Sequence, residues 1–378
     1  MNTQMPAAMS SHERLTRFFT GQSIDRIPIW LLTPHHPLGC YADIHHLDCY
    51  RPIVERLERG DCDIFDRRGC GNHIFYTACP DFKRVQETCL IDNIPHEYTH
   101  LVYQGRILMS RYHKRSKTQQ KVTYYIDDPE QLKILMQIPY VPVKPDLSVY
   151  RAERAELGER GFYMMDLGDP LGVLYHLMSA CDFSMATATD YDLLLEFLDV
   201  IYPRTLDLYR TFLENDMADC YFIVGCEFAG PPLVSPSHFK EMSARYVRGI
   251  CDLIHEYGKI AIVHYHGQLY EILDGVADMH CDGLHTVELP PIGNCTLQQA
   301  RHVLGSDMTL IGPVQYDDLV RLPAEQIESQ VKDAIKAASG GRFILSPTAG
   351  PYETWLDEHA VNNYLTFIDT GLKYGRMS

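Results

Sequence analysis

The sequence predicts an α/β protein: one (β/α)8 barrel spanning residues 1–378, with an inserted region of antiparallel hairpins at about residues 85–126. Three observations lead there. After residue 160, short apolar runs alternate with amphipathic stretches of helical period, the pattern of a parallel sheet covered by helices. Six such units, plus one or two ahead of them, make about eight, the number that closes a barrel. Neither G-x-G-x-x-G nor a Walker P-loop occurs, so no nucleotide-binding fingerprint favours an open sheet.

Taken in order, residues 12–20 set Leu15, Phe18 and Phe19 on one helical face that ends at Gly21. Residues 27–32 (IPIWLL) read as a first buried strand entered through an edge proline. From residue 85 the period changes to two, with Thr, Tyr and Val enriched, until the Asp127-Asp128-Pro129 turn. Strands are then expected at 162–167, 219–224, 259–263, 283–286, 309–311 and 342–345. The helices among them fall at 191–213, 236–257, 269–277, 297–304, 324–338 and 358–374. Met164, Met165, Met178 and Met185 are expected in the core, where flexible thioethers fill gaps.

Composition narrows the function. With 34 Lys plus Arg against 50 Asp plus Glu the formal charge is −16, too acidic for a generic nucleic-acid binder. No apolar run approaches the ~20 residues that span a bilayer, so no membrane association is expected. The 12 cysteines follow no disulfide framework or C-x-x-C spacing, and the N-terminal stretch lacks a signal-like apolar core. Reduced thiols and a cytoplasmic location are the expectation.

In such a barrel the reacting groups stand at the C-terminal ends of the strands. One strand ends in Gly225-Cys226-Glu227-Phe228, a glycine-flanked carboxylate; the next ends in His264-Tyr265-His266-Gly267, whose imidazoles, two apart on an extended chain, share a side. The next ends in His285-Thr286-Val287-Glu288, and another in Ser346-Pro347-Thr348-Ala349-Gly350-Pro351-Tyr352. Imidazole plus carboxylate is the ligand set of an open zinc-type site, which assigns Glu227, His264 and His266 as metal ligands and catalytic groups. Asp166 and Asp169 in MMDLGDP are candidate active-site acids; Asp166 joins the catalytic set, and Asp169 reads equally as an N-cap of the following helix. Glu288 and His285 are expected to bind substrate, and Tyr265, Phe228, Tyr352 and Trp355 to supply aromatic walls. His35, His36, His45 and His46 read as surface histidines able to bind adventitious metal, in a loop with Tyr41 that can cover the mouth.

The opening HERLTRFFTGQSIDRIPIWLL resembles the start of the uroporphyrinogen decarboxylase superfamily. So do CEFAGPPLVSPSHFKEMSARYVRGICDLIHEYGK, VHYHG, GLHTVELPPIGNCTL, LIGPVQYDDL and RFILSPTAGPYE, whereas residues 80–150 match poorly. The resemblance implies a (β/α)8 barrel and one of two activities: cofactor-free decarboxylation, or zinc-dependent methyl transfer with corrinoid proteins or coenzyme M. True decarboxylases of the family carry an arginine-rich R-Q-A-G-R-Y segment after the first strand; here Trp30 to His36 contains no arginine. The methyltransferases carry H-x-C and a further cysteine; here His266 stands for the first cysteine, and Thr348 or Ala349 for the second. A Glu/His/His site is harder than a thiolate site and suits polarising an oxygen. The expectation is therefore a zinc-dependent methyltransferase moving a methyl group from an O-methyl (ether) or related small-molecule donor to a corrinoid protein. The 85–126 insertion is expected to serve as a docking rim or a homodimer contact. A metal-free decarboxylase or lyase of a smaller acid is the alternative, with His264 or His266 as general acid and Asp166 stabilising a cation. A non-catalytic tetrapyrrole- or corrinoid-binding protein is the third.

Overall fold

Seven parallel strands curl into one sheet in the order β1 (Ile64–Gly69), β5 (Gly161–Asp166), β6 (Cys220–Ile223), β7 (Ile260–His264), β8 (Gly283–His285), β9 (Thr309–Val314), β10 (Phe343–Pro347). β2 (Phe82–Ile91), β3 (Ile94–Tyr103) and β4 (Arg106–Lys114) form a separate antiparallel sheet at the expected insertion, beginning three residues before its expected start at 85. The computed structural model describes residues 9–70, 74–114 and 123–377; of the expected hairpin residues, 115–122 lie outside that set.

The eighth strand position, between β10 and β1, is filled by residues 28–30. Trp30 N–H donates to the Leu345 carbonyl (2.8 Å) and Leu345 N–H to the Pro28 carbonyl (3.0 Å), giving a parallel bridge at Ile29. On the other side Asp63 N–H donates to the Ile29 carbonyl (2.6 Å), and the Asp63 carboxylate accepts Ile29 N–H (2.9 Å). The expected strand 27–32 thus shrinks to a bridge. Pro28 has no N–H to give, Leu32 turns to φ 59°, and a side chain replaces one ladder bond.

Asp63 is buried and ion-paired to Arg14 (2.7 Å) and Arg26 (2.7 Å), while Arg14 also holds Asp25 (2.6 Å). The charged residues of the HERL and DRIP segments are therefore structural: they fasten the closing strand through a buried network whose members satisfy one another. Helix Ser11–Phe19, capped by Ser10 accepting Glu13 N–H (3.0 Å), sends Leu15 and Phe18 into the lumen. There they join Trp30, Phe65, Phe162, Met164, Phe222, Ile262, Ile311 and Ile344. The barrel is packed solid below its mouth.

Two expectations about elements need correction. The helix expected at 236–257 comes in three pieces, Pro236–Phe239, a π-turn at Lys240–Ala244 and Arg245–Glu256. Met185 is exposed, whereas Met164, Met165 and Met178 are buried. Among the described residues no helix is long and apolar enough to cross a membrane, and all 12 cysteines are free thiols.

Candidate active site

β7 ends at His264, and its alternation sends His264 and His266 to one side and Tyr265 to the other. His264 Nδ1 lies 2.8 Å from His285 Nδ1, at the end of β8, and the two rings stack at 5.0 Å. His285 Nε2 lies 3.4 Å from the Pro347 carbonyl, which can only accept, so the His285 proton sits on Nε2. His285 Nδ1 then accepts from His264 Nδ1–H, which leaves the lone pair of His264 on Nε2. Both rings are neutral. Burial pushes their pKa values down, His285 to about 3, and the charges of His266 and Arg67 act in the same direction.

His266 stands edge-on to His264 at 4.5 Å and is 38% exposed, with Nδ1 3.3 Å from Glu288 Oε1. Glu288 is buried. Its Oε2 accepts Gly267 N–H (2.7 Å), and Gln315 Nε2 donates to Oε1 (3.4 Å). Burial raises the Glu288 pKa, but the hydrogen bond and charge of His266 together with the bonds from Gly267 and Gln315 bring the net shift downward. Thr348, in the turn after β10, donates to Gln315 Oε1 (3.0 Å) and completes a Thr348–Gln315–Glu288–His266 chain.

Asp166, at the end of β5, is ion-paired to Arg67 of β1, with Arg67 Nε at 3.0 Å. The guanidinium lies 4.9 Å from the centre of the Phe222 ring, which also neighbours His264 at 5.2 Å. Trp30, 5.4 Å from His285, continues this aromatic floor. Tyr41 reaches over from the loop after residue 32, its hydroxyl 3.5 Å from Arg67 Nη1 and its ring 5.7 Å from Tyr352.

Glu227 follows β6 on a turn that glycine makes possible. Gly225 has φ 143°, and a Cβ there would sit 1.9 Å from the Asp169 carboxylate. Of the two roles the sequence leaves open to Asp169, it takes the helix cap, accepting Gly172 N–H (2.7 Å), and burial lifts its pKa to about 8. Glu227 Oε2 accepts Gly225 N–H (3.0 Å), and burial raises its pKa against the opposing pull of its backbone bonds and of His266.

The expected residues thus divide. His264, His266, His285 and Glu288 form one linked cluster, and Asp166 stands across Phe222 from it. Tyr265 does not join them: it is 0% exposed, donates to the Gln268 carbonyl (3.0 Å) and fills the space beside Gly230 on the helix side of the sheet. Phe228 stacks on Tyr175 at 3.9 Å, Tyr352 stands at the rim beside Tyr41 and Tyr316, and Trp355 is 70% exposed. The expected ligands Glu227, His264 and His266 do not, as folded, bring one ligand atom each within 4.8 Å of the others. Glu227 is turned back onto its own backbone, while His264 and His266 each keep Nε2 available, so it is the separation of the groups and not the histidines' partners that works against zinc. The donor types suit zinc; the spacing does not.

Sequence reasoning missed Arg67, Gln315, Trp30 and Phe222. For Arg67 the pattern gave little signal: IFDRRG, after Asp61-Cys62-Asp63, is an apolar pair followed by three charged residues, not the period-two alternation of a strand. Gln315 follows the strand expected at 309–311, which runs three residues further, to Val314, before delivering it.

Residues 110–361 match the family described as uroporphyrinogen decarboxylase (URO-D). No curated protein matches in sequence. Among solved structures, a methyltransferase from Methanosarcina mazei is similar over 96% of this chain and 98% of its own, with 17% identity and a TM-score of 0.60. A protein described as a vitamin-B12 independent methionine synthase, from Listeria monocytogenes, is similar over 61% of this chain and 69% of its own, with 12% identity and a TM-score of 0.42. A D-psicose 3-epimerase from Clostridium cellulolyticum H10 covers 61% of this chain and 94% of its own at 13% identity, with a TM-score of 0.32.

Proposed function

The chain belongs to the uroporphyrinogen decarboxylase family, and from that premise we propose that it is a methyltransferase, taking a methyl group from an O-methyl or related small donor and passing it to a corrinoid carried by a partner protein. One observation carries this choice within the family. The arginine at the mouth, Arg67, is committed to Asp166, so it offers little to the carboxylates of a polyanionic substrate, while the imidazoles beside it are neutral. The formal charge of −16 points the same way. The fold shared with the Methanosarcina mazei methyltransferase is compatible with this reading, though fold alone never selects a reaction.

In the overall step the methyl–oxygen bond breaks, a methyl–cobalt bond forms, and the departing oxygen takes up a proton. The corrinoid supplies a reduced cobalt nucleophile. The chain supplies the rest. His266, exposed on one side and backed by Glu288, donates the proton to the leaving oxygen, and the Glu288 carboxylate stabilises the charged ring before transfer. His264, its proton fixed on Nδ1 by His285, presents Nε2 as an acceptor that orients the donor. Trp30 and Phe222 form an apolar floor under it. Glu227, His264 and His266 are not spaced to hold zinc as folded, and the chain's own groups carry the proton and orient the donor.

The test is to incubate the protein with cob(I)alamin and a panel of methyl ethers, phenol ethers and methylamines, following methylcobalamin by its visible spectrum. Turnover with an O-methyl donor supports the proposal. Carbon dioxide release from a small acid without corrinoid, and no methyl transfer, would transfer the protein to the decarboxylase reading.

A further inference from the structure

A second histidine cluster lies on the outer side of the barrel wall. Phe65 and Arg67 of β1 face the lumen, where they touch Trp30 and Phe222, so Asp66 and Arg68 face the helices. Arg68 pairs with Glu153 on helix Ser148–Leu157 (2.7 Å). Asp66, 0% exposed, turns to the loop after the first strand. Its Oδ1 accepts the backbone N–H of both His35 (2.8 Å) and His36 (2.9 Å), and its Oδ2 lies 2.6 Å from His36 Nδ1.

That last bond holds the His36 proton on Nδ1 and leaves Nε2 free to bind. Nε2 of His36 lies 3.5 Å from Glu156 Oε2, and Nε2 of His35 lies 3.6 Å from Glu156 Oε1. One ligand atom from each of the three residues falls within 4.8 Å of the other two. These separations are long for hydrogen bonds, which cluster at about 2.7–3.2 Å. They are close to the roughly 3.3–3.4 Å that separates two ligands held 2.0–2.1 Å from a tetrahedral ion.

We propose that His35, His36 and Glu156 form a binding site for a divalent transition-metal ion of the zinc class, with Asp66 as the buried carboxylate that orients His36. Three protein ligands, with Glu156 at the surface, leave the fourth position to water. Two imidazoles and a carboxylate select such an ion over calcium or magnesium, which take oxygen ligands. The ion would tie the loop to helix Ser148–Leu157, and the same loop carries Tyr41 onto Arg67 at the mouth. The site stands independently of the methyltransferase reading.

The test titrates metal-free protein with Co²⁺, reading its visible ligand-field absorption, and then displaces it with Zn²⁺. The parent is expected to bind one ion here. Glu156→Gln changes a side chain that is 65% exposed and leaves the core intact, yet it should weaken this ion at least about tenfold, as should His36→Ala. His264→Ala, on the other side of the wall, should keep it. The proposal is overturned if the parent takes up no Co²⁺, or if Glu156→Gln and His36→Ala match its stoichiometry and affinity.

Discussion

His264 with His285 inside the barrel, and His35 with His36 outside it, are held by opposite kinds of partner. Inside, an imidazole is backed by a second neutral imidazole, which is backed by a carbonyl. Outside, an imidazole is backed by a fully buried carboxylate and faces another carboxylate across a gap of ion size. A carboxylate behind a histidine raises its basicity and its value as a metal ligand. A neutral imidazole behind it fixes the tautomer without adding charge. On the two proposals above, acid–base and positioning work falls to the inner cluster, with His266 and Glu288 as its charged edge, and metal binding to the outer one.

The largest effect that can sharpen this contrast is loss of the inner proton donor. His266→Ala is expected to lower methyl transfer by about 10²–10⁴-fold, read as kcat in the methylcobalamin assay; an unchanged rate would remove His266 from the chemistry. Next, Arg67→Met leaves the Asp166 carboxylate unpaired with each partner only 17% exposed, and should cost about 3–5 kcal/mol in urea unfolding. A loss below ~1 kcal/mol would mean that this pair is solvated and free to bind carboxylates, which reopens the decarboxylase reading.

Glu288→Gln keeps an acceptor for Gly267 N–H but removes the charge behind His266. A drop of about 10- to 100-fold, with a shifted pH–rate profile, is expected; a purely structural role would leave the profile in place. A fourth effect, read as a slope against pH, concerns Asp169, whose native pKa is about 8 against an unfolded value near 3.9. The native state therefore keeps a proton that the unfolded chain releases, and that contribution, full below about pH 4, is lost progressively up to about pH 8. Asp169→Asn cannot ionise and still caps the helix. Its stability relative to the parent should grow by up to about 1.4 kcal/mol per pH unit between pH 5 and 8. Parallel pH dependences of the two proteins would contradict the raised value.

Much of this was legible in the sequence, for identifiable reasons. Strand–helix alternation gave the barrel, and period-two patterning gave the hairpin sheet, because both periods follow directly from backbone geometry. Strand ends gave His264, His266, His285 and Glu288. Alternation also puts Tyr265, between the two mouth histidines, on the opposite, core-facing side, which its expected role as an aromatic wall overlooked. What alternation cannot show is that Glu227 hydrogen-bonds its own turn, which depends on Gly225 taking φ 143°. The charged residues of the N-terminal segment marked the family, while their work, holding Asp63 beneath the closing strand, depended on a partner 49 residues away from Arg14. His35 and His36 read as surface residues because the groups that organise them, Asp66 and Glu156, are 30 and 120 positions further along from His36.

The division of labour is tested most directly by the anomalous scattering of crystals grown from zinc-loaded protein, measured on both sides of the zinc edge. The account predicts a peak among His35 Nε2, His36 Nε2 and the Glu156 carboxylate. A peak shared by Glu227, His264 and His266, with none at the outer cluster, would contradict it.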